Sequence, residues 1–176
     1  MANFYSDSHG ERWGVMIQEK NQSCGPASVA MTKVYYTSSI TGGLEAEARK
    51  LSQNYPDNFT ESNGTGSIEN LASVLRAEGV KTYNALFVEN VWAYLYAYAK
   101  DNTPVLCHVR WKKGGHFIVC VAVYKTDQKC VFLDPWYGLV EISGSKLPTY
   151  TVQDSTGTFE PVAIGALSGW IIVTKR

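Results

Sequence analysis

The chain has no net charge: sixteen basic and sixteen acidic residues cancel among 176. It also shows no basic stripe, no RNA-binding signature and no zinc-finger spacing, so a nucleic acid is not an expected partner. Apolar runs are short. The longest, such as FIVCVAV at 117–123, has the length of a strand and is too short for a bilayer, so no membrane insertion is expected. The N-terminus, MANFYSDSHGERWGVMIQ, lacks both a basic n-region and an apolar h-region, and reads as no secretory signal. The expectation is a cytoplasmic protein or one exported by a signal-independent route. Cysteine is scarce. The four, at 24, 107, 120 and 130, form no CxxC pair and no Cys/His cluster with metal-ligand spacing, so no metal or other cofactor is expected. With 45% hydrophobic residues the chain can build a core without disulfide staples, and all four are read as thiols. No repeat or low-complexity segment is present.

Helix signals crowd the first half. GPASVAMTKVYY sets Ala27, Ala30, Met31 and Val34 on one stripe, with Cys24 at its N-terminal end. LEAEARKLSQ follows, then SIENLASVLRAEG, which opens on Ser67 with Asn70 in a capping-box arrangement and stops at Gly79. Between them PDNFTESNGTGS is a polar loop. In VENVWAYLYAYAKDN the aromatics alternate as in a strand, but Val91, Leu95 and Tyr98 have helical spacing and the helix is preferred. From Pro104 onward the texture turns to strands: PVLCHVRW, HFIVCVAVY, CVFLD, LVEIS and GWIIVTK, with KKGG among the intervening loops. Unbroken apolarity in FIVCVAV predicts a central strand covered on both faces. Helices first and antiparallel strands afterwards define an α+β domain with one sheet.

The chemistry centres on Cys24. Free thiols ionise near pH 8.5, whereas a helix N-terminus and a protonated histidine favour the thiolate. Gly25 allows close approach of other segments and Pro26 is tolerated in the first turn. A small structural thiol at a helix start is an equally ordinary occupant. Of the three histidines, His116 opens a hydrophobic strand straight after Gly114-Gly115, held by a rigid element yet accessible. His108 reads as one face of a strand and His9 as mobile surface. If residues 124 and 128 face each other across a hairpin, Asp134 lies opposite Ile118 and diagonal to His116, where it could orient the imidazole. A slip of one residue would put the two on opposite faces. An Asp-Pro turn former is the alternative reading of Asp134. For the oxyanion of an acyl transfer, either Gln18 or Gln22 could supply an amide.

A resemblance decides between them. Gln18 stands six residues before Cys24, the spacing between oxyanion glutamine and nucleophile in papain-like cysteine peptidases. The run QEKNQSCGPASVAM, with GSIENLASVLRAEGV, GHFIVCVAVY, DPWYG and the terminal LSGWIIVTK, resembles the bacteriocin-leader (double-glycine) peptidase domains of ABC exporters. The similarity spans roughly Gly14 to Thr174, so residues 1–13 read as an N-terminal extension and 14–176 as a single papain-like domain, a helical half packed on a C-terminal antiparallel sheet. The resemblance implies Cys24 as nucleophile, His116 as general base and acid, Asp134 as orienting group and Gln18 as oxyanion donor, with Gln22 on the surface. It implies hydrolysis of a peptide or protein substrate through a thioester, after small residues such as Gly-Gly. The alternatives are a papain-like acyltransferase or amidase acting as a bacterial effector, and a catalytically silent peptide-binding module. Two departures stand out. No exporter segment is attached, so a stand-alone domain is expected, and LSQNYPDNFTESNGTGS is longer than the family's usual connection.

Overall fold

The computed structural model describes residues 2–175 apart from 102, 112–113 and 154–160. Lys112 and Lys113 of the KKGG loop lie outside the described residues. A hairpin of β1 (Ala2–Ser6) and β2 (Arg12–Met16) comes first. Three helices follow: α1 (Cys24–Thr37), α2 (Leu44–Ser52) and α3 (Ile68–Ala77). Then come β3 (Leu86–Phe87), α4 (Val91–Ala99), β4 (Val105–Arg110), β5 (Gly115–Tyr124), β6 (Lys129–Asp134) and β7 (Gly138–Ser143). A 3₁₀ turn at Gly144–Thr149 leads to β8 (Thr151–Gln153), β9 (Pro161–Ile164) and β10 (Ala166–Val173).

Six strands form one antiparallel sheet in the order β3-β10-β4-β5-β6-β7. β5 is central and buried on both faces, as its unbroken apolarity predicts. One face carries Phe117, Val119 and Val121 against Val29 and Met31 of α1, with α3 behind. The other carries Ile118, Cys120 and Phe132 against Leu95 of α4 and Tyr150. All four cysteines are free thiols, three of them buried.

Local chemistry explains the helix ends. The Ser67 hydroxyl accepts from the Asn70 N–H at 3.2 Å, and Asn90 caps α4 by accepting from the Ala93 N–H at 3.1 Å. The strand-like alternation in α4 resolves into two i,i+4 pairs, Trp92 on Tyr96 and Tyr94 on Tyr98, while Leu95 and Ala99 turn inward.

The N-terminal hairpin is docked on the domain. β2 runs across residues 13 and 14, and Trp13, Val15 and Met16 are core residues. Asp7 accepts from Trp13 Nε1 at 2.8 Å and from the Tyr124 hydroxyl at 2.7 Å. His9 lies on the surface, where its ring stacks on Tyr124 at 3.6 Å and its Nε2 meets Asp127 at 2.9 Å.

Candidate active site

Helix α1 begins at Cys24, and its preceding residue, Ser23, makes no side-chain cap. The Ser23 hydroxyl instead accepts from Arg49 at 2.8 Å, and Arg49 pairs with buried Glu45 one turn away. Glu45 in turn accepts the Glu19 N–H at 2.8 Å, so the segment carrying Gln18 and Cys24 is latched to α2. With no side-chain cap and no acidic residue in its first turn, the helix leaves its positive end to whatever sits at Cys24. Gly25 is required by packing, because a Cβ there would lie 2.0 Å from Thr65 Oγ1. The Cys24 side chain itself is half-buried.

The neighbour of Cys24 is the fully buried imidazole of His116, on the second residue of β5. Its Nε2 bonds Asp134 Oδ1 at 2.8 Å. Its Nδ1 is enclosed and makes no hydrogen bond, yet the sulfur is close enough to act on the ring's titration. The thiol–imidazole contact is therefore looser than a full hydrogen bond, as resting pairs of this kind often are.

Asp134 ends β6 with no exposure. Besides His116, its Oδ1 accepts the N–H groups of Trp136 at 2.7 Å and Tyr137 at 3.2 Å, and its Oδ2 accepts the Tyr150 hydroxyl at 2.7 Å. The Asp-Pro turn and the imidazole partner, alternatives in the sequence, are one arrangement: the turn amides fix the carboxylate that fixes the ring. Trp136 stacks on His116 with ring centroids 4.4 Å apart and faces solvent on its outer side, shielding the ion pair.

Burial alone would lower the His116 pKa, but the hydrogen bond to Asp134, the nearby Cys24 sulfur and the charges of both outweigh it and bring it up to about 9. A folded pKa above the ordinary 6.5 means the imidazolium contributes its full stabilisation below that ordinary value and loses it as pH rises through about 9. Urea unfolding of wild type and His116→Gln across this range should show a stability difference on the order of 3 kcal/mol larger at the acid end. A difference that is flat with pH would contradict the assignment.

Gln18 has turned its amide to the chain: Nε2 donates to the Lys20 carbonyl at 2.6 Å, and Oε1 is buried without a partner. Its backbone N–H donates to the Pro135 carbonyl at 2.9 Å, which ties it to the turn after Asp134. Gln22 is exposed on the loop facing Gly64. His108 stays on its strand, with Nδ1 2.8 Å from Ser168 Oγ. Burial first, then His116 and Arg110, holds its pKa below the usual histidine value. Trp136 and Tyr150 are parts of the site that sequence reasoning did not assign. DPWYG offered a signal for the first; Tyr150, sixteen residues beyond Asp134, has no local one.

The Peptidase_C39 like family matches residues 14–157, and the chain belongs to that family. Several solved structures share its fold. The peptidase domain of Streptococcus ComA, a bifunctional ABC transporter involved in a quorum-sensing pathway, superimposes with a TM-score of 0.61 at 17% identity, covering 92% of this chain and 98% of that one. A double-glycine-motif protease from an AMS/PCAT transporter, in complex with its leader peptide, gives 0.59 at 18% identity, with 92% and 90% covered. The peptidase domain of Streptococcus mutans ComA gives 0.56 at 15%, with 92% and 98% covered. No curated protein matches the chain. The fold is thus the α+β, papain-like architecture of C39 peptidase domains.

Proposed function

We propose that the protein is a cysteine peptidase that hydrolyses a peptide bond through Cys24, His116 and Asp134, after small residues such as Gly-Gly. The observation that carries this reading is a half-buried thiol at an uncapped helix N-terminus, set against a buried His116–Asp134 pair. His116 Nδ1 takes the thiol proton and Cys24 Sγ attacks the carbonyl carbon, sending an electron pair to oxygen. The Cys24 N–H and the second N–H of Gln18 Nε2 meet the oxyanion. Its collapse breaks the C–N bond, and the imidazolium proton leaves with the amine. Water then gives a proton to His116 and attacks the thioester, and the C–S bond breaks to release a carboxylate. Asp134 holds the ring with Nδ1 toward sulfur throughout.

Two close approaches fix glycines of this chain beside the pair. Thr65 Oγ1 presses on Gly25 and His108 Nε2 on Gly115, each within 2.2 Å of where a Cβ would stand. The preference for small substrate residues is supported by the double-glycine-motif protease among the structural neighbours. Mass analysis of a synthetic peptide with a central Gly-Gly, incubated with the protein, tests the reading. Two fragments together heavier than the substrate by one water are expected. A new amide in place of a carboxylate would assign acyl transfer, and an intact peptide would reject this specificity.

A further inference from the structure

Beside the thiol–imidazole pair opens a pocket of about 440 Å³. Its walls include Thr65, which touches Gly25 next to Cys24, and His108, which touches Gly115 next to His116. Phe117 and the ring of Trp170 supply aromatic surface, and Asp57 and Glu69 supply carboxylates. We propose that this pocket is a substrate subsite for a cationic side chain, lysine or arginine, near the scissile bond; the proposal rests on the peptidase reading above.

Charge and hydrogen bonding point the same way. Asp57 and Glu69 are both exposed, and neither takes part in an ion pair among the described residues. No lysine or arginine lines the pocket among the described residues. His108 adds no compensating charge. Its Nδ1 lies 2.8 Å from Ser168 Oγ, which accepts the Trp170 N–H at 3.3 Å, and burial together with the charges of His116 and Arg110 disfavours the protonated ring. A cation entering here meets two carboxylates and the indole of Trp170, whereas a carboxylate side chain meets like charge.

One wall, Asp57 with Thr65 and Ser67, is built by the long connection between α2 and α3. Phe59 is fully buried and anchors it. Asn70 Nδ2 donates to the Pro56 and Asp57 carbonyls at 2.8 and 2.9 Å, and Ser52 Oγ donates to the Phe59 carbonyl at 3.0 Å. The backbone at Asp57 is thus held in place before any substrate arrives.

The test uses the full-length Cys24→Ala variant, so that binding is read without turnover. Its probes are fluorescein-labelled hexapeptide amides ending Gly-Gly-Ala, with lysine, norleucine or glutamate placed in turn at each of the three preceding positions. Anisotropy at low ionic strength should find one position where lysine binds about tenfold tighter than glutamate and several-fold tighter than norleucine. Asp57→Asn with Glu69→Gln should erase that preference to within about twofold, a level expected for solvent-facing pairs once removed. Asn suits the left-handed backbone at residue 57 (φ 54°), so the double variant keeps the fold. Glu89→Gln with Asp101→Asn, two exposed carboxylates elsewhere, should leave it intact. Equal or tighter norleucine binding at every position, a lysine preference that survives the double variant, or no binding by any lysine peptide would each overturn the subsite. Charge preference in Cys24→Ala alongside a wild type that cleaves none of the peptides would sink the hydrolase reading and leave the subsite standing.

Discussion

Cys24→Ala is expected to abolish turnover of the Gly-Gly peptide, with kcat/KM falling by at least about 10⁴-fold, as losing a nucleophile does in enzymes that form acyl intermediates. The thermal midpoint should move by no more than about 3 °C. The two halves follow from one feature. Cys24 is half-buried at the first residue of α1, so removing its sulfur empties little core volume, while the helix, the His116–Asp134 bond and Gln18 are untouched. Retention of activity in this variant would mean that another group attacks the substrate. The remaining thiols offer no substitute: Cys107, Cys120 and Cys130 are fully buried in the sheet's second face.

Asp134→Ala should be the most destabilising single substitution at the site, costing about 3–5 kcal/mol in urea unfolding. The carboxylate is inaccessible and accepts from His116, Tyr150 and the Trp136 and Tyr137 amides. Alanine would leave all of these donors facing a void, and the imidazolium would lose its counter-charge. Asp134→Asn keeps an acceptor for the ring and most of the volume, so the expected order of stability is wild type, then asparagine, then alanine. A loss below about 1 kcal/mol for alanine, within the range of an exposed pair, would show that the site does not depend on this carboxylate.

Much of this arrangement was legible because it is local. The capped start at Ser67, the thiol beside Gly25-Pro26 and the unbroken run of β5 each announce themselves within a few residues. Register was subtler. The hairpin expectation paired 124 with 128, whereas Tyr124 faces Lys129 and Ala122 faces Val131. That one-residue slip would have parted His116 from Asp134. A bulge at Val121 absorbs it, so that Cys120 faces Phe132 and Val119 faces Leu133, and continuing the ladder sets Ile118 opposite Asp134. Two adjacent residues, Val121 and Ala122, consequently point to the same core. Inside a wholly apolar strand such a phase change leaves no trace in hydropathy, which is why the diagonal pairing was reached through a turn that is off by one.

Other parts were illegible because they are made by distant partners. Tyr150 reaches Asp134 from beyond β7 with a left-handed backbone (φ 30°). His9 meets Tyr124 and Asp127, more than a hundred residues away. The long polar connection between α2 and α3 read as a loop, yet Phe59 and Asn70 bind it into a wall beside the thiol.

The central claim is that His116 activates the Cys24 sulfur, and alkylation of that sulfur tests it most directly. Iodoacetamide rates at Cys24, read by mass spectrometry at mildly acidic pH, should be at least about tenfold higher in the folded wild type than in folded His116→Ala. Burial pushes the Cys107 and Cys120 thiols up and slows them regardless, so the decisive comparison is Cys24 with itself, referenced to the rate in each unfolded chain. Equal Cys24 rates in the two folded proteins would contradict the account.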